Sequence, residues 1–278
     1  MTRRNVKEGH TGNGGLVGEP GNELTELEDL TSRLRQAGFV AAEDEAQELS
    51  ESACGDSKML ASLVERRLSG EPLAWITRSA DFCGLKLRIH RDVYVPRWQS
   101  EPLARRAVER LPLRGAAVDL CTGSGAIAKT LMDQRPNVRV VASDLDERAV
   151  ACARDNGVEV YLGDLFSPLP ALLHGRTDVV VGVVPYVPTP QLATLQRDTL
   201  TFESTLSYDG GDDGADVLRR VIDECREYLR PGGALLLELG GEQVEALRDD
   251  LSHRRFVLSD VLRDDDGDVR GIDATWEP

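Results

Sequence analysis

One segment is the strongest indication of the fold: Val118-Asp119-Leu120-Cys121-Thr122-Gly123-Ser124-Gly125-Ala126-Ile127-Ala128. A hydrophobic strand ends near Leu120, Gly123 and Gly125 form a tight turn, and small residues then begin a helix. Ligands bind at the carboxyl ends of parallel strands, and glycine lets a ligand approach the backbone closely there. The turn therefore predicts a ligand site, although a G-x-G pattern alone is also typical of a plain turn between a strand and a helix.

Short hydrophobic runs alternate with helical stretches from residue 116 to the end of the chain. The predicted strands are 117–120, 138–143, 159–162, 178–183, 233–238 and 255–260, with a seventh at 269–275. This alternation is typical of a mostly parallel sheet with helices on both faces. The predicted fold class is therefore α/β, with a Rossmann-like domain.

Two further acidic residues end the next two predicted strands and indicate an adenosine ligand. Asp144 can accept both ribose hydroxyls, and Asp164 can accept from the adenine amino group. Ala128 stands where the dinucleotide-binding pattern G-x-G-x-x-G has its third glycine. The charge of Asp119 would repel a pyrophosphate but attract the ammonium or sulfonium of a methionine moiety. These charges favour S-adenosylmethionine over NAD. The alternatives are solvated charges at the strand ends and, for Asp119, a cap of the turn or helix.

The region before the sheet has a different composition. Residues 1–22 are rich in glycine and predict a disordered tail, and leucines and alanines at helical spacing predict a helical domain over 23–78. Alternating residues then predict a β-hairpin with its turn at Arg91-Asp92, followed by a linker helix, so that this part spans 79–112. The ligand-binding domain is predicted over 113–278.

Composition excludes several partners. The net charge of −15 over 278 residues repels a phosphate backbone, so free nucleic acid is not an expected partner. The five scattered cysteines and four histidines show no metal-ligand spacing, and no metal is expected. Unpaired thiols and the lack of a signal peptide or membrane span predict a cytoplasmic protein.

Further along the chain, several motifs resemble those of HemK/PrmC-like glutamine methyltransferases, which modify peptide-chain release factors. The resemblance covers about residues 24–278 and rests on GEPLA at 70–74, FCGL at 82–85, VPR at 95–97, the 119–128 turn, GDLF at 163–166, PYVP at 185–188, GGDDG at 210–214 and ELG at 238–240. It implies a seven-stranded class I methyltransferase domain with a small helical N-terminal domain and a connecting hairpin. It also implies S-adenosylmethionine as cofactor and a release factor-like protein as acceptor.

The resemblance and the turn together predict the site residues. The predicted cofactor residues are Asp119, Cys121, Thr122, Gly123, Gly125, Ile127, Asp144, Leu145, Gly163, Asp164, Leu165 and Val184. The predicted catalytic residues at the acceptor end are Val183, Pro185 and Tyr186, and the predicted substrate residues are Arg97, Trp98, Glu101 and again Tyr186.

The acceptor motif of the family, Asn-Pro-Pro-Tyr, is replaced here by Val183-Val184-Pro185-Tyr186. In the family, the asparagine side chain and the next backbone carbonyl hold the acceptor amide, whereas valine has no side-chain hydrogen bond to offer. Trp98 also stands where the family has proline. Three functions stay open: a glutamine methyltransferase with a divergent motif, a methyltransferase of a small molecule such as a secondary metabolite, and a cofactor-binding protein without catalysis. The oligomeric state is also open.

Overall fold

The structure, a computed structural model, describes residues 20–195 and 201–278. The predicted tail at 1–22 lies outside these residues except for its last three, with which the first helix begins. The chain divides into two compact units, Met1–Leu68 and Ser69–Pro278, and the hairpin belongs to the second. In the described part, no helix is both long and apolar enough to cross a membrane.

The first unit contains three helices, α1 (Pro20–Gln36), α2 (Ala42–Ala53) and α3 (Ser57–Leu68). They form because hydrophobic residues recur every three to four positions, and these are the residues that become buried: Leu30, Leu34, Ala42, Ala46, Leu49, Ala53, Leu63 and Val64. A bidentate ion pair of 2.6 and 3.0 Å joins Arg67 of α3 to Glu45 of α2.

The second unit begins with α4 (Leu73–Thr77), the hairpin strands β1 (Ser79–Phe82) and β2 (Leu85–Arg88), and α5 (Glu101–Arg110). The hairpin turn predicted at Arg91-Asp92 is wrong, because the strands pair around Cys83 and Gly84. Both residues have positive φ, 50° and 77°, as a two-residue hairpin turn requires. The alternation continues past β2 because Ile89 and Val93 are buried in loops, and Arg91-Asp92 forms a separate turn.

A seven-stranded sheet forms the rest of the second unit. Its strands are β3 (Ala116–Leu120), β4 (Arg139–Asp144), β5 (Glu159–Leu162), β6 (Thr177–Gly182), β7 (Leu229–Glu238), β8 (Phe256–Arg263) and β9 (Val269–Trp276). The helices are α6 (Ala126–Gln134), α7 (Glu147–Asp155), α8 (Asp216–Glu224), α9 (Gly241–Ala246) and α10 (Arg248–His253). The strand order is β5-β4-β3-β6-β7-β9-β8, parallel except at β9. The predicted α/β fold class is confirmed.

Hydrophobic cores cover both faces of this sheet. In β3, Ala117 belongs to one core and Val118 and Leu120 to the other, because successive side chains of a strand point to opposite faces. All six residues of β6 are buried, as expected for a central parallel strand. The strand order reverses between β3 and β6, and in open parallel sheets the ligand crevice lies at such a reversal, outside the carboxyl ends of the strands.

Candidate active site

The glycine-rich turn joins β3 to α6 in a conformation that only small residues accept. Gly125 precedes α6 with φ of 83°, and a Cβ there would lie 2.9 Å from Val158 and 3.2 Å from Ala153. Gly123 has φ of 57°, but a Cβ there would meet no atom within 4 Å. Gly125 thus allows close packing of the turn, whereas Gly123 leaves open space next to it for a ligand.

Asp119, at the end of β3, is a buried carboxylate under the turn, with 1% of its surface exposed. Its Oδ2 accepts hydrogen bonds from the Thr122 hydroxyl at 2.6 Å and the Ala128 amide at 3.0 Å. Burial raises the pKa of Asp119 to about 7. Since both bonds end on Oδ2, a ligand can use Oδ1, and a cationic ligand would stabilise the ionised form.

Asp144, at the end of β4, fixes the other side of the turn. Its carboxylate accepts from the Gly123 amide at 2.8 Å and from the Asp146 amide at 2.9 Å. Burial raises the pKa of Asp144, although these backbone bonds oppose the rise. The bonds orient the carboxylate at the carboxyl edge of the sheet, where a diol could reach it.

Asp164 follows β5 and has a partner that the sequence did not indicate. Arg220 of α8 donates to its Oδ2 at 2.7 Å, and about half of each side chain is exposed. The turn around Asp164 uses positive φ on both sides, 155° at Gly163 and 45° at Leu165. The carboxylate is therefore held at the strand end by an ion pair from a helix that follows much later in the chain.

These strand ends surround one cavity of about 250 Å³. The predicted residues that line it are Asp119, Cys121, Thr122, Gly123, Ile127, Asp144, Leu145, Gly163, Asp164, Leu165, Val183 and Pro185. The lining residues that the prediction missed include Phe82, Val93, Tyr94, Pro96, Ser100, Ser124, Ser204, Leu206, Ser207 and Arg220. Within the described ranges, six aspartates but only one arginine line the cavity, and this charge favours a cationic ligand.

Six predicted residues do not line this cavity, and their predicted roles stay predictions. They are Arg97, Trp98, Glu101, Gly125, Val184 and Tyr186. Val184 is 1% exposed and lies in the hydrophobic core, whereas Trp98 is 62% exposed. Glu101 accepts from the Cys83 amide at 2.9 Å and thus holds the hairpin turn.

Tyr186 turns toward a buried carboxylate. Its hydroxyl donates to Glu238 Oε1 at 3.0 Å, and its carbonyl accepts from Gln243 at 2.8 Å. Glu238 is 4% exposed, its Oε2 has no hydrogen-bond partner in the described part of the chain, and burial raises its pKa. These contacts fix the loop after β6 to the end of β7.

Tyr94, which the sequence did not indicate, also lines the cavity. Its ring lies edge-on to Tyr208, 5.7 Å between centroids, and burial raises its pKa to about 12. Arg97 supports this wall through a 2.6 Å ion pair with the buried Glu203, which also accepts from the Val95 amide. Tyr94 precedes the VPR motif by one residue, which is the signal that could have identified it.

The strand order, the glycine turn and the carboxylates at three strand ends define a class I S-adenosylmethionine-dependent methyltransferase. A family model described as the methyltransferase small domain matches residues 101–168. The release factor glutamine methyltransferase of Geobacter sulfurreducens is 36% identical over 211 residues, 74% of this chain and 73% of that protein. That of Bradyrhizobium diazoefficiens is 32% identical and covers 88% of this chain and 80% of its own length.

A solved methyltransferase from Pyrococcus furiosus supports the fold, with a TM-score of 0.51 at 18% identity over 78% of this chain and 100% of its own. With the identities and coverage above, the chain belongs to the release factor glutamine methyltransferase family. It is an S-adenosylmethionine-dependent methyltransferase, as the sequence predicted.

Proposed function

We propose that this chain methylates the side-chain amide nitrogen of a glutamine in a peptide-chain release factor. The observation that carries the proposal is the similarity over 74% and 88% of the chain to two relatives of that name, combined with a cavity at the strand ends that is lined by Val183 and Pro185 of the acceptor motif. A protein acceptor is favoured over the small-molecule alternative and over a protein without catalysis, because the curated relatives named here are all methyltransferases of a protein.

The six aspartates that line the cavity favour a cationic ligand such as S-adenosylmethionine. We assign Asp144 to the ribose hydroxyls, Asp164 to the adenine amino group, and Asp119 to the ammonium or sulfonium of the methionine part. The open space beside Gly123 gives the ligand access to the backbone. When bound, the cofactor supplies a methyl group that is already activated on sulfur.

The acceptor end of the cavity is formed by Val183, Pro185 and the wall around Tyr94. These residues would orient the amide nitrogen of the acceptor toward the activated methyl group that the bound cofactor would supply, and water would take the proton that the methylated nitrogen loses. The chain contributes mainly position and orientation to this displacement. In the family motif, a backbone carbonyl accepts a hydrogen bond from the acceptor amide, and the Val184 carbonyl supplies this contact because every residue type has a backbone carbonyl. Val183 cannot replace the hydrogen bond of the asparagine side chain, because valine has no polar side-chain atom.

Mass spectrometry of a release factor incubated with the enzyme and S-adenosylmethionine tests this proposal. We expect one added methyl group on the glutamine of a Gly-Gly-Gln segment, and we expect its loss in Asp144→Ala. Val183→Asn should raise kcat/KM about tenfold, because a restored hydrogen bond contributes about 1 kcal/mol or more. Val183→Ala, which restores no hydrogen bond, is the matched control.

Cofactor binding without methylation of the release factor, in the wild type and in Val183→Asn alike, would contradict the glutamine acceptor. The double variant Val183→Asn with Val184→Pro restores the whole motif and separates the two positions. Val184 is buried in the core, so the thermal stability of the double variant must be measured beside its activity.

A further inference from the structure

The side-chain amide of Asn156 joins two segments that lie far apart in the sequence. Asn156 is the C-cap residue that follows α7, and its Oδ1 accepts from the Arg88 amide at 2.9 Å. Its Nδ2 donates to the Arg88 carbonyl and to the Ser124 carbonyl, each at 2.9 Å. One side chain thus pairs with the outer edge of the hairpin strand β2 and also with the glycine-rich turn.

Asparagine is the residue type that this geometry requires. A primary amide carries one acceptor oxygen and two donor hydrogens, and the three bonds use the oxygen and both hydrogens. The two bonds to Arg88 resemble those that a peptide group of a neighbouring strand would make. Aspartate has the same shape but cannot donate, so two carbonyl oxygens would face a carboxylate. Serine is too short to reach both segments, and glutamine is longer by one methylene.

Each of the two joined segments carries one wall of the cavity. Ser124 itself lines the cavity and is 2% exposed. The chain that leaves the hairpin continues to Val93 and Tyr94, which also line the cavity. Val93 also packs on α7, against Ala149 and Cys152, so α7 supports this wall along its length.

We propose that Asn156 is a positioning residue that holds the acceptor wall and the cofactor turn in a fixed relation to each other. The proposal rests on the proposed function for the identity of the two ligands. Asn156 does not line the cavity and acts only through the two backbone segments that it joins. Its loss therefore weakens cofactor binding indirectly, by freeing the turn at Ser124.

The test compares Asn156→Asp with Asp155→Ala. Asp155 accepts from the His90 ring at 2.9 Å, so it ties α7 to the hairpin but not to the turn. Hydrogen exchange is read at the Ile89 amide, which bonds to Arg78 in the hairpin, and at the Gly125 amide, which bonds to Thr122 in the turn. The dissociation constant of S-adenosylhomocysteine and the melting temperature are measured for each protein.

Asn156→Asp should speed exchange at both amides and weaken binding of S-adenosylhomocysteine about five- to tenfold, because two donated hydrogen bonds are lost. Asp155→Ala should speed exchange at Ile89 only and leave the dissociation constant unchanged. Asn156→Ala, which lacks the carboxylate, replaces the aspartate variant if that variant does not fold.

Equal losses of melting temperature in the two variants, with unchanged exchange at Gly125 and unchanged binding, would overturn the proposal and leave Asn156 a purely structural residue. If the wild type does not bind S-adenosylhomocysteine, the assigned cofactor site fails. Exchange at Gly125 then still decides whether Asn156 joins the two segments.

Discussion

Replacing Asp119 by asparagine tests whether this carboxylate holds the cationic end of the cofactor. The asparagine oxygen can still accept from the Thr122 hydroxyl and the Ala128 amide, at 2.6 and 3.0 Å in the wild type, so the turn is kept and only the charge is removed. A hydrogen bond to a charged group contributes about 1.5–3 kcal/mol. The dissociation constant of S-adenosylmethionine should therefore rise about 10- to 100-fold.

The pH dependence of binding gives a second and sharper readout. Burial raises the pKa of Asp119 to about 7, so in the free protein the carboxyl is largely protonated below that pH. Pairing with a cation requires the ionised form, and wild-type affinity should fall up to about tenfold per pH unit below this pKa. Calorimetric titration in buffers of different ionisation enthalpy measures both the affinity and the proton released. The variant should release no proton from this position.

The stability of the free protein must change in the opposite direction with pH. The folded pKa of Asp119, about 7, lies above its ordinary value of 3.8, so the folded protein binds more protons between these two pH values. The stabilisation from this group is full at low pH and is lost as pH rises through the folded pKa. In urea titrations, the free energy of unfolding of Asp119→Asn should therefore increase relative to that of the wild type as pH rises over this range. Identical pH slopes of binding for variant and wild type would refute the assigned role.

Four further substitutions separate the roles of other residues. Gly125→Ala should lower the free energy of unfolding by about 1–3 kcal/mol in urea titrations, because the added Cβ would lie 2.9 Å from a valine methyl group. Gly123→Ala should mainly weaken cofactor binding. Equal losses of stability in the two variants would contradict these separate roles. Arg220→Ala removes the cation beside Asp164. It should therefore strengthen the binding of cationic S-adenosylmethionine relative to neutral S-adenosylhomocysteine about two- to fivefold at low salt, and calorimetry measures both affinities. Glu238→Gln should gain stability relative to the wild type as pH rises, since burial raises the pKa of Glu238 and its ionisation then costs stability. A stability difference independent of pH would argue against a raised pKa of Glu238.

The fold class and part of the cavity lining at the strand ends were predictable from the sequence. Strand and helix periodicity, and glycines at positions of positive φ, are local properties, because they depend on residues a few positions apart. Ten of the twelve predicted cofactor residues line the cavity for this reason, as each follows directly from a strand end or the turn. The family motifs added the acceptor end and its departure at Val183.

The distant side chains that complete the cavity and its surroundings depend instead on tertiary packing. Arg220 reaches Asp164 across 56 positions, Asn156 reaches Arg88 across 68, and Tyr186 turns to Glu238 across 52. No local pattern specifies such pairs, because they depend on how helices and loops pack over the sheet. For the same reason Tyr94, rather than Tyr186, supplies the tyrosine of the cavity wall. Periodicity predicts which face of an element is buried, but the partner that each side chain meets there is set by packing.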